Sequence, residues 1–401
     1  MILYTAQGKP VELGEEVGRG GEATVFKVVG QPKNLAKLYE PEPRPNYSLK
    51  LAWMVEHPPD NPTAALEHAS MAWPESLLYD SKHKLKGYRM PYIDQAVPLL
   101  DVFNPRRRVA VLPQFDRRYL HRTARNLAAA FSALHRSGYV AGDVNESNIL
   151  VTPAALVTLI DTDSFQVREK RGGTDILYPC PVGKPEYTPP ELQGKPLAES
   201  TRVADHDSFG LAVLIFQLLM NGSHPFRAQW LGEGDPPPLE KRIADGDFPY
   251  SQFHSAPIAP PPNVPDLDTL HPWLGELVRR CFIDGHRSPR WRPTPELWAR
   301  AIDAAEAGLV CCAEGHFYAS HLPSCPYCAP LPKHPVSVPA NRVESGHQTE
   351  TRTGRSRRSP GGRFGGRPGG GQATQPHVAQ PVGAHAPAAA APAQGAGVSA
   401  V

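Results

Sequence analysis

The sequence lacks the features that mark secreted and membrane-spanning proteins. Its first residues, MILYTAQGKPVEL, do not combine a charged start with a long apolar stretch, as a secretory signal peptide does. The longest apolar run, from Leu211 to Met220, is far shorter than the ~20 residues that a membrane-spanning helix needs. Cysteine is scarce, with 6 residues in 401, and most of it is crowded into 311–328. We therefore expect a cytoplasmic protein with no membrane association and no framework of disulfides.

The excess of basic charge is confined to the C-terminal region. The formal net charge is only +2, but residues 331–401 carry 8 basic and 2 acidic side chains. Glycine, proline, alanine, serine and arginine dominate this region, so it can bury too little apolar surface to offset its chain entropy. We expect 331–401 to be a disordered tail. Its arginines could bind RNA or an acidic surface, but a solvated tail without a nucleic-acid partner is the simpler interpretation.

Apolar periodicity predicts strands early in the chain and helices later. Residues 11–40 and 73–93 have the pattern of strands, and 47–57 suits a short helix. Later helices are predicted at 122–136, 205–221, 270–282 and 294–307, with short strands near 149–151 and 157–160. The proline-rich stretch 230–268 is predicted to be a long surface loop.

This order of elements is typical of an α+β protein with two lobes. We expect a β-rich N-terminal lobe over about 1–93 and a helical C-terminal lobe over about 94–309. A small cysteine-rich segment over 310–330 follows, and the tail completes the chain.

A glycine-rich turn lies between the first predicted strands. Gly18, Gly20 and Gly21 precede Val25 in the stretch GRGGEATV. Glycines let the backbone approach a phosphate and turn N–H groups toward it. Lys37 lies 17 residues after Gly20 on the next apolar strand, from which a lysine could reach phosphates. Each feature alone is weak, because glycine-rich hairpin turns and exposed strand lysines are common.

A stronger signal is the stretch AGDVNESNILV at 141–151. Asp143 and Asn148 lie five residues apart, and Asp161 follows 13 residues later, after a second short strand. Phosphoryl transfer needs a carboxylate beside the attacking hydroxyl and oxygen ligands for Mg²⁺. Asp143 fits the first role, and Asn148 and Asp161 fit the second. An aspartate-rich turn alone is usually only a cap, but this arrangement between short strands is specific to kinase-like folds.

Four cysteines and a histidine lie close together after the last predicted helix. The stretch CCAEGH at 311–316 is followed by SCPYC at 324–328. Thiolates and imidazole are the ligands that structural Zn²⁺ prefers, in a tetrahedral set of four. The candidate ligands are Cys312, His316, Cys325 and Cys328, with Cys311 as an alternative to Cys312. Unliganded thiols are the simpler alternative to a zinc site.

The phosphate-handling motifs resemble those of the protein kinase superfamily, whose signatures are a glycine-rich loop, a strand lysine, HRDxxxxN and DFG. Later segments resemble this family in the right order: GKPEYTPPE at 183–191, DHDSFG at 205–210, GSHPF at 222–226 and WRPT at 291–294. The resemblance covers about residues 11–307. It implies that Arg292 forms a buried pair with Glu191 and that Asp205 anchors the backbone of the catalytic loop.

The resemblance implies a bilobal protein kinase fold over 1–309 and a set of site residues. Asp143 is expected to orient or deprotonate the acceptor hydroxyl, and Lys37 to hold the phosphates of ATP. Asn148 and Asp161 are expected to bind Mg²⁺, for which Mn²⁺ could substitute. The other nucleotide-binding residues are expected to be Gly18, Gly20, Gly21, Val25, Ala36, Met90 and Tyr92.

Together with the cysteine cluster, these motifs resemble bacterial, eukaryotic-like Ser/Thr protein kinases with a C-terminal zinc knuckle. Membership in that group implies transfer of the γ-phosphate of ATP to serine or threonine of a protein substrate. The sequence does not identify this substrate. The resemblance further implies partners in signalling, such as a phosphatase.

The chain departs from the family pattern at several positions. Ala141-Gly142-Asp143 stands where His-Arg-Asp is usual, and Asn145 replaces a lysine that contacts the transferred phosphate. Asp161-Thr162-Asp163 replaces Asp-Phe-Gly, and the helix predicted at 47–57 has no central glutamate to pair with Lys37.

These departures leave two alternatives open. The first is a pseudokinase scaffold that binds nucleotide without transferring phosphate. The second is a small-molecule kinase of the aminoglycoside phosphotransferase type, which the segment 183–191 disfavours, since such enzymes lack it.

Overall fold

Strands dominate the chain up to Pro91, and helices dominate the part that follows. The computed structural model describes residues 1–40 and 46–328. The first strands are β1 (Ile2–Tyr4), β2 (Pro10–Arg19), β3 (Ala23–Val28), β4 (Gln31–Tyr39), β5 (Ser76–Tyr79), β6 (Leu85–Pro91) and β7 (Val97–Pro98). The later strands are β8 (Ile149–Val151), β9 (Val157–Leu159), β10 (Val167–Arg171), β11 (Thr174–Tyr178), β12 (Gln229–Trp230), β13 (Ile258–Ala259), β14 (Leu309–Cys311) and β15 (Phe317–Ala319). The predicted tail over 331–401 lies outside the described residues.

The helices begin with α1 in the N-terminal lobe and otherwise follow β7. They are α1 (Tyr47–Glu56), α2 (Leu99–Phe103), α3 (Pro105–Val111), α4 (Arg117–Arg136), α5 (Ala204–Leu219), α6 (Leu239–Asp245), α7 (Pro272–Arg279), α8 (Gly285–Arg287) and α9 (Pro295–Ala307). Single 3₁₀ turns lie at Ala64–Leu66, Glu146–Asn148, Thr162–Ser164, Pro185–Tyr187, Pro190–Leu192, Leu197–Glu199, Leu267–Thr269 and Pro289–Trp291, and a π-helical turn spans Arg280–Asp284. Among the described residues, no helix combines the length and apolarity that crossing a membrane requires.

The N-terminal lobe is a closed antiparallel sheet with its own small core. The strand order is β1-β2-β3-β4-β6-β5, and Tyr4 of β1 lies opposite Tyr79 of β5 to close it. The residues of the small core are Leu3, Val11, Leu13, Val28, Ala36, Leu38 and Leu78. Because side chains alternate along a strand, Leu35 and Lys37 of β4 face away from this core. That face of β4 is the one directed at the helical lobe.

The C-terminal lobe is built around α5, which is buried along almost its whole length. This burial explains the apolar run from Leu211 to Met220, which is hydrophobic all round rather than on one stripe. α4 packs against α5 and α9. Asp116 caps the start of α4, because its carboxylate accepts hydrogen bonds from the backbone N–H groups of Arg118 and Tyr119. The prediction of an α+β protein with a β-rich lobe and a helical lobe is confirmed.

The stretch 230–268 is more structured than its proline content suggested. It contains α6, which ends at Gly246 with a φ of 76°. Ile243 and Phe248 are buried, and Phe248 packs against Phe282 with ring centroids 5.4 Å apart. The prediction of one long surface loop is therefore wrong, because a short capped helix and two buried side chains secure this stretch to the lobe.

Asp207, not Asp205, anchors the loop that contains Asp143. The Asp207 carboxylate is 1% exposed and accepts from the backbone N–H groups of Ala141 at 2.8 Å and Gly142 at 2.9 Å. His135 at the end of α4 contacts the same carboxylate at 2.9 Å. Two residues apart on a helix point to opposite sides, so only one of the two aspartates can face the loop. The expectation that Asp205 anchors the loop was wrong, because Asp205 lies about half a helical turn from the side that faces the loop.

Arg292 and Glu191 form the expected ion pair. Arg292 donates from Nη1 and Nη2 to the two carboxylate oxygens of Glu191, at 2.7 and 2.6 Å, and also to the carbonyl oxygen of Asp205 at 2.9 Å. Burial alone would raise the pKa of Glu191, but the guanidinium of Arg292 outweighs it and lowers this pKa. The two-pronged contact joins the segment 183–191 to the end of the helical lobe.

Candidate functional site

A cavity of about 990 Å³ lies between the β1–β6 sheet and the helical lobe. Its volume is at the upper end of the range of about 300–1,000 Å³ that small-molecule sites occupy. Of the predicted nucleotide-binding residues, those that line it are Gly18, Gly20, Gly21, Val25, Lys37, Met90 and Tyr92. The opposite wall includes Leu150, Ile160 and Asp161.

The glycine-rich turn forms the upper edge of this cavity. β2 and β3 meet through Gly18 opposite Val25, and the backbone N–H of Gly20 donates to the carbonyl oxygen of Ala23 at 2.8 Å. Among the residues that the structure describes, no atom outside the adjoining residues lies within 4 Å of the place that a β-carbon would take on Gly18 or Gly21. The turn therefore leaves room for a ligand to approach its backbone.

Ala36 does not line the cavity, so its assignment to nucleotide binding was wrong. Its side chain is fully buried in the core of the N-terminal sheet. Leu35 and Lys37, one position to either side, line the cavity instead. The reason is the two-residue period of β4, which puts neighbours on opposite faces.

Lys37 forms ion pairs with two carboxylates at the bottom of the cavity. Its Nζ lies 2.5 Å from Asp161 Oδ1 and 2.6 Å from Asp163 Oδ1. The Lys37 side chain is 13% exposed, that of Asp161 is 40% exposed and that of Asp163 only 4%. Burial alone would lower the pKa of Lys37, but the charges of Asp163 and Asp161 outweigh it and raise this pKa. Lys37 is therefore held as a cation.

Asp163 is the most enclosed acid of the site, and sequence reasoning gave it no role. Tyr88 donates to its Oδ1 at 2.7 Å, and Tyr39 donates to its Oδ2 at 2.8 Å. From α1, Lys50 Nζ and the hydroxyl of Tyr47 donate to its backbone carbonyl oxygen at 2.6 and 2.8 Å. The signal that could have found this cluster is the alternation of Lys37 and Tyr39 on β4.

Asp143 lies beside the cavity in a small hydrogen-bonded loop. Asn145 Nδ2 donates to Asp143 Oδ1 at 2.8 Å, and Asn148 Nδ2 donates to Asp143 Oδ2 at 3.1 Å. The backbone N–H of Ile160 donates to the carbonyl oxygen of Asn148 at 2.9 Å, which ties this loop to the strand end before Asp161. Burial raises the pKa of Asp143, the two asparagines oppose the rise and the charge of Asp161 adds to it. The predicted Asp143, Asn148 and Asp161 are thus brought together.

Gly142 occupies the position at which the family usually has arginine, and the local packing explains the exchange. Its φ is +75°, in the left-handed region that favours glycine. A β-carbon there would lie 2.7 Å from Cys180 Cβ and 2.9 Å from Cys180 Sγ. Any larger residue would have to displace Cys180, which is fully buried.

Arg202 links the same loop to the segment that follows β11. It donates from Nη1 to the carbonyl oxygen of Gly142 at 3.3 Å and from Nη2 to that of Val182 at 3.2 Å. Gln166 accepts from the Arg202 backbone N–H at 2.7 Å and donates to its carbonyl at 2.8 Å. The contact between loop and segment is therefore made by a buried arginine of the chain itself.

Lys184 brings a second cation near Asp143. Its Nζ donates to Glu146 Oε1 at 2.9 Å and to Ser147 Oγ at 2.6 Å. Its positive charge lowers the pKa of Asp143, against the larger effect of burial. Sequence reasoning noted the missing lysine at Asn145 but did not find this one, because Lys184 is distant along the chain.

The cysteine cluster brings four side chains together that could hold one metal ion. The ligand atoms of Cys312, His316, Cys325 and Cys328 all lie within 4.8 Å of one another. Cys312 Sγ lies 3.5 Å from Cys328 Sγ, and His316 Nδ1 lies 3.4 Å from the same sulfur. Such spacing suits a tetrahedral ligand set. Cys311 is exposed and is not part of this group.

The segment that carries this cluster packs on the start of α4. The guanidinium of Arg118 lies 3.9 Å from the ring centre of Phe317, and that of Arg117 lies 4.8 Å from the ring centre of Tyr327. These cation–π contacts hold the segment that carries the cluster against the helical lobe.

The comparisons with known proteins connect this geometry to kinases. No family model matches the chain. The protein kinase YegI of Escherichia coli O157:H7 is 34% identical over 333 residues, which cover 82% of this chain and 50% of the relative. The protein kinase YegI of Escherichia coli strain K12 is 33% identical over 333 residues, with the same coverage of 82% and 50%. The chain belongs to the protein kinase superfamily.

This kinase superfamily member spans about half the length of the curated relatives that it matches. A solved structure, the ROP18 kinase domain in complex with AMP-PNP and sucrose, has a TM-score of 0.47 and 15% sequence identity to it. That match covers 77% of this chain and 84% of the solved one.

We expect the kinase fold of this chain to be sensitive to any side chain at Gly142. Gly142→Ala should lower the free energy of unfolding by about 2–4 kcal/mol, because it adds backbone strain and a clash with Cys180. Gly138→Ala is the matched control, since Gly138 has a φ of +81° but no atom of the described part of the chain near its β-carbon position. It should cost only about 1 kcal/mol. Urea unfolding measures both, and equal losses would show that Cys180 makes no difference.

Proposed function

We propose that this chain transfers the γ-phosphate of ATP to serine or threonine of a protein substrate. The observation that carries the proposal is that Lys37 and Asp161 pair in the cavity while Asp143 lies near Asp161, each with a defined partner. Phosphoryl transfer depends mainly on positioning and on charge stabilisation, and these groups supply both.

In the proposed reaction, the substrate hydroxyl oxygen forms a bond to the γ-phosphorus. The bond from that phosphorus to the β–γ bridging oxygen breaks, and ADP leaves. Asp143 accepts the hydroxyl proton or orients the hydroxyl so that the proton passes to the phosphate. Its hydrogen bonds to Asn145 and Asn148 fix the carboxylate for this purpose. Lys37 holds the ATP phosphates through its charge.

The donor set beside the cavity suits Mg²⁺. Asn148 and Asp161 would supply an amide and a carboxylate oxygen, the hard ligands that Mg²⁺ prefers and that Mn²⁺ also accepts. The Asp161 carboxylate lines the cavity and is partly exposed, which supports a ligand role there. When bound, the cation would neutralise charge on the phosphates.

A protein acceptor is favoured over a small molecule by the segment 183–191. This segment lies along the helical lobe, where Tyr187 donates to Gln217 at 3.1 Å and Glu191 pairs with Arg292. Small-molecule kinases of the aminoglycoside phosphotransferase type lack such a segment. A scaffold that binds ATP without transfer is the second candidate, and Asn145 in place of the usual lysine is the observation that favours it.

Lys184 is proposed to supply the cation that Asn145 does not. Glu146 and Ser147 hold its ammonium group on the loop that contains Asp143. A cation there can contact the transferred phosphate from the other side of the acceptor hydroxyl. The positive charge that the family usually has at position 145 is therefore supplied from position 184.

The cysteine cluster is proposed to bind Zn²⁺ as a structural site. Three thiols and one imidazole complete a tetrahedral set, so no position remains for a substrate. The contacts of Phe317 and Tyr327 with α4 would then be secured by the metal.

Transfer of labelled phosphate from Mg·ATP tests the proposed activity. We expect incorporation into a generic protein acceptor, and we expect Asp143→Asn to reduce the rate by roughly 10²–10⁴ because general-base assistance is lost. Asp161→Ala should abolish transfer, since it removes a metal ligand. Asp175→Asn, at an exposed carboxylate on β11, is the control for an aspartate-to-asparagine change.

Each outcome of this assay is informative. Phosphorylated serine and threonine in the acceptor would support the proposal. ATP binding without transfer by the intact chain would favour the scaffold. Transfer to small alcohols or amines but not to protein would favour the small-molecule kinase. Transfer that survives Asp143→Asn would mean that the catalytic loop is wrongly assigned.

Lys184→Met tests the relocated cation. We expect kcat to fall roughly 10–100-fold with little change in the KM for ATP, because one stabilising group on the transferred phosphate is lost. Lys195→Met changes an exposed lysine that lies four residues after the segment 183–191 and serves as the control. Equal rates for the two variants would remove Lys184 from the site.

Metal analysis tests the zinc site. We expect about one zinc ion per chain, and we expect a chelator to lower the unfolding temperature, because the metal holds four ligands in place. Cys325→Ser should lose the zinc. Cys311→Ser should retain it, since Cys311 lies outside the set of four. Loss of zinc from Cys311→Ser with retention in Cys325→Ser would contradict the assignment.

A further inference from the structure

We infer that Asp163 is the counter-ion that positions Lys37 for the ATP phosphates. It would take the place of the glutamate that the helix α1 does not supply. The inference deepens the proposed function and rests on it, because it assigns a positioning residue within the same site.

Both carboxylate oxygens of Asp163 are occupied by donors of the protein. Lys37 and Tyr88 donate to Oδ1 at 2.6 and 2.7 Å. Tyr39 donates to Oδ2 at 2.8 Å. The hydroxyl oxygen of Tyr47, whose hydrogen goes to the backbone carbonyl oxygen of Asp163, lies 3.3 Å from Oδ2. A carboxylate with three donors and 4% exposure is poorly placed to bind a metal or a substrate. What remains for it is to hold Lys37.

Asp161 and Asp163 therefore have different roles around Lys37. Asp161 is ten times more exposed than Asp163, at 40% against 4%, and faces the cavity. If Asp161 were engaged by a cation, Asp163 would still pair with Lys37. A buried lysine without any partner would be strongly unfavourable, so one permanent acid is required.

The helix α1 contributes donors where the family's helix contributes an acid. Lys50 and Tyr47 donate to the backbone carbonyl oxygen of Asp163 at 2.6 and 2.8 Å. The link from helix to strand therefore runs from α1 to Asp163 and from Asp163 to Lys37. A glutamate at position 50 would instead face the carbonyl oxygen and the charge of Asp163, which explains why this helix carries a lysine.

The protonation states of the cluster agree with this arrangement. Burial would raise the pKa of Asp163, but the charge and hydrogen bond of Lys37 outweigh it and lower this pKa. Burial, and then the charge of Asp163, raise the pKa of Tyr39 and Tyr88 well above its usual value. The phenols therefore stay protonated and act as donors to an ionised carboxylate.

Asp163→Asn tests the inference, because it keeps the size of the side chain and removes its charge. Two quantities are measured: the Kd for Mg·ATP by titration, and kcat with KM for transfer. We expect the Kd to rise at least about tenfold and kcat to fall by at least a similar factor, since Lys37 loses its permanent partner. Asp175→Asn makes the same chemical change at an exposed carboxylate and should alter neither quantity more than about twofold.

A double-mutant cycle separates a specific pair from a merely structural residue. If Asp163 acts through Lys37, then Lys37→Met combined with Asp163→Asn should bind Mg·ATP no more weakly than Lys37→Met alone. The double variant should also unfold at higher urea concentration than Asp163→Asn, because the buried Lys37 of Asp163→Asn keeps only the partly exposed Asp161 as a carboxylate partner, and the double variant removes that lysine. This second readout applies even where Asp163→Asn folds poorly.

The outcomes distinguish this inference from the proposed function. Wild-type ATP affinity in Asp163→Asn, or independent effects of the two substitutions in the cycle, would overturn the inference even if transfer occurs. A chain that transfers no phosphate but whose ATP affinity depends on the coupled pair would contradict the proposed function and leave this inference standing.

Discussion

The pairing of Lys37 with Asp163 is the interaction on which the architecture of the cleft depends. It joins three separate parts of the chain: β4 of the closed sheet, the turn after β9 and, through Lys50, the helix α1. Charges enclosed to this degree persist only where their partners are fixed, so each part constrains the position of the other two. The tyrosines at 39 and 88 complete the shell of donors around one carboxylate. The N-terminal sheet is thereby connected to Asp161, which lines the cavity two residues away.

The loop that contains Asp143 is held by side chains that hydrogen-bond its backbone, rather than by a cluster of charges. Asp207 binds the backbone N–H groups at 141 and 142, while Arg202 binds the carbonyl oxygen of Gly142. Gly142 fits because its backbone is left-handed and Cys180 fills the space beside it. In the family pattern, an arginine at 142 would bind a phosphate group carried by the following segment. Here Arg202 already links the loop to Val182, so the geometry needs no added group.

The sequence predicted the parts of this site that depend on local spacing. The glycine-rich turn, Lys37 and the Asp143–Asn148–Asp161 set follow from motifs of fixed length, and the two-lobed α+β fold follows from apolar periodicity. Contacts between distant segments were not predictable in this way. Asp163 has its partners 126 and 75 residues away, at Lys37 and Tyr88, and the residues next to Asp163 do not single it out. The errors at Ala36 and Asp205 are of another kind, because a motif was matched one or two positions away from the residue that faces the site.

The departures from the family pattern are connected, and this bears on whether they signal lost activity. In the roles proposed above, each missing group has a counterpart from elsewhere in the chain: Asp163 for the helix acid, Arg202 for the loop arginine and Lys184 for the loop lysine. A site that had merely decayed would leave its remaining charges without partners, since nothing would select for replacements at a distance. Lys37, a largely buried cation of the cleft, instead has two acids within 2.6 Å. Maintaining that arrangement is costly unless the lysine is needed, because an apolar side chain of similar size would pack there without desolvating a charge. The pattern of relocated charges therefore favours a working phosphate-binding site over a relic.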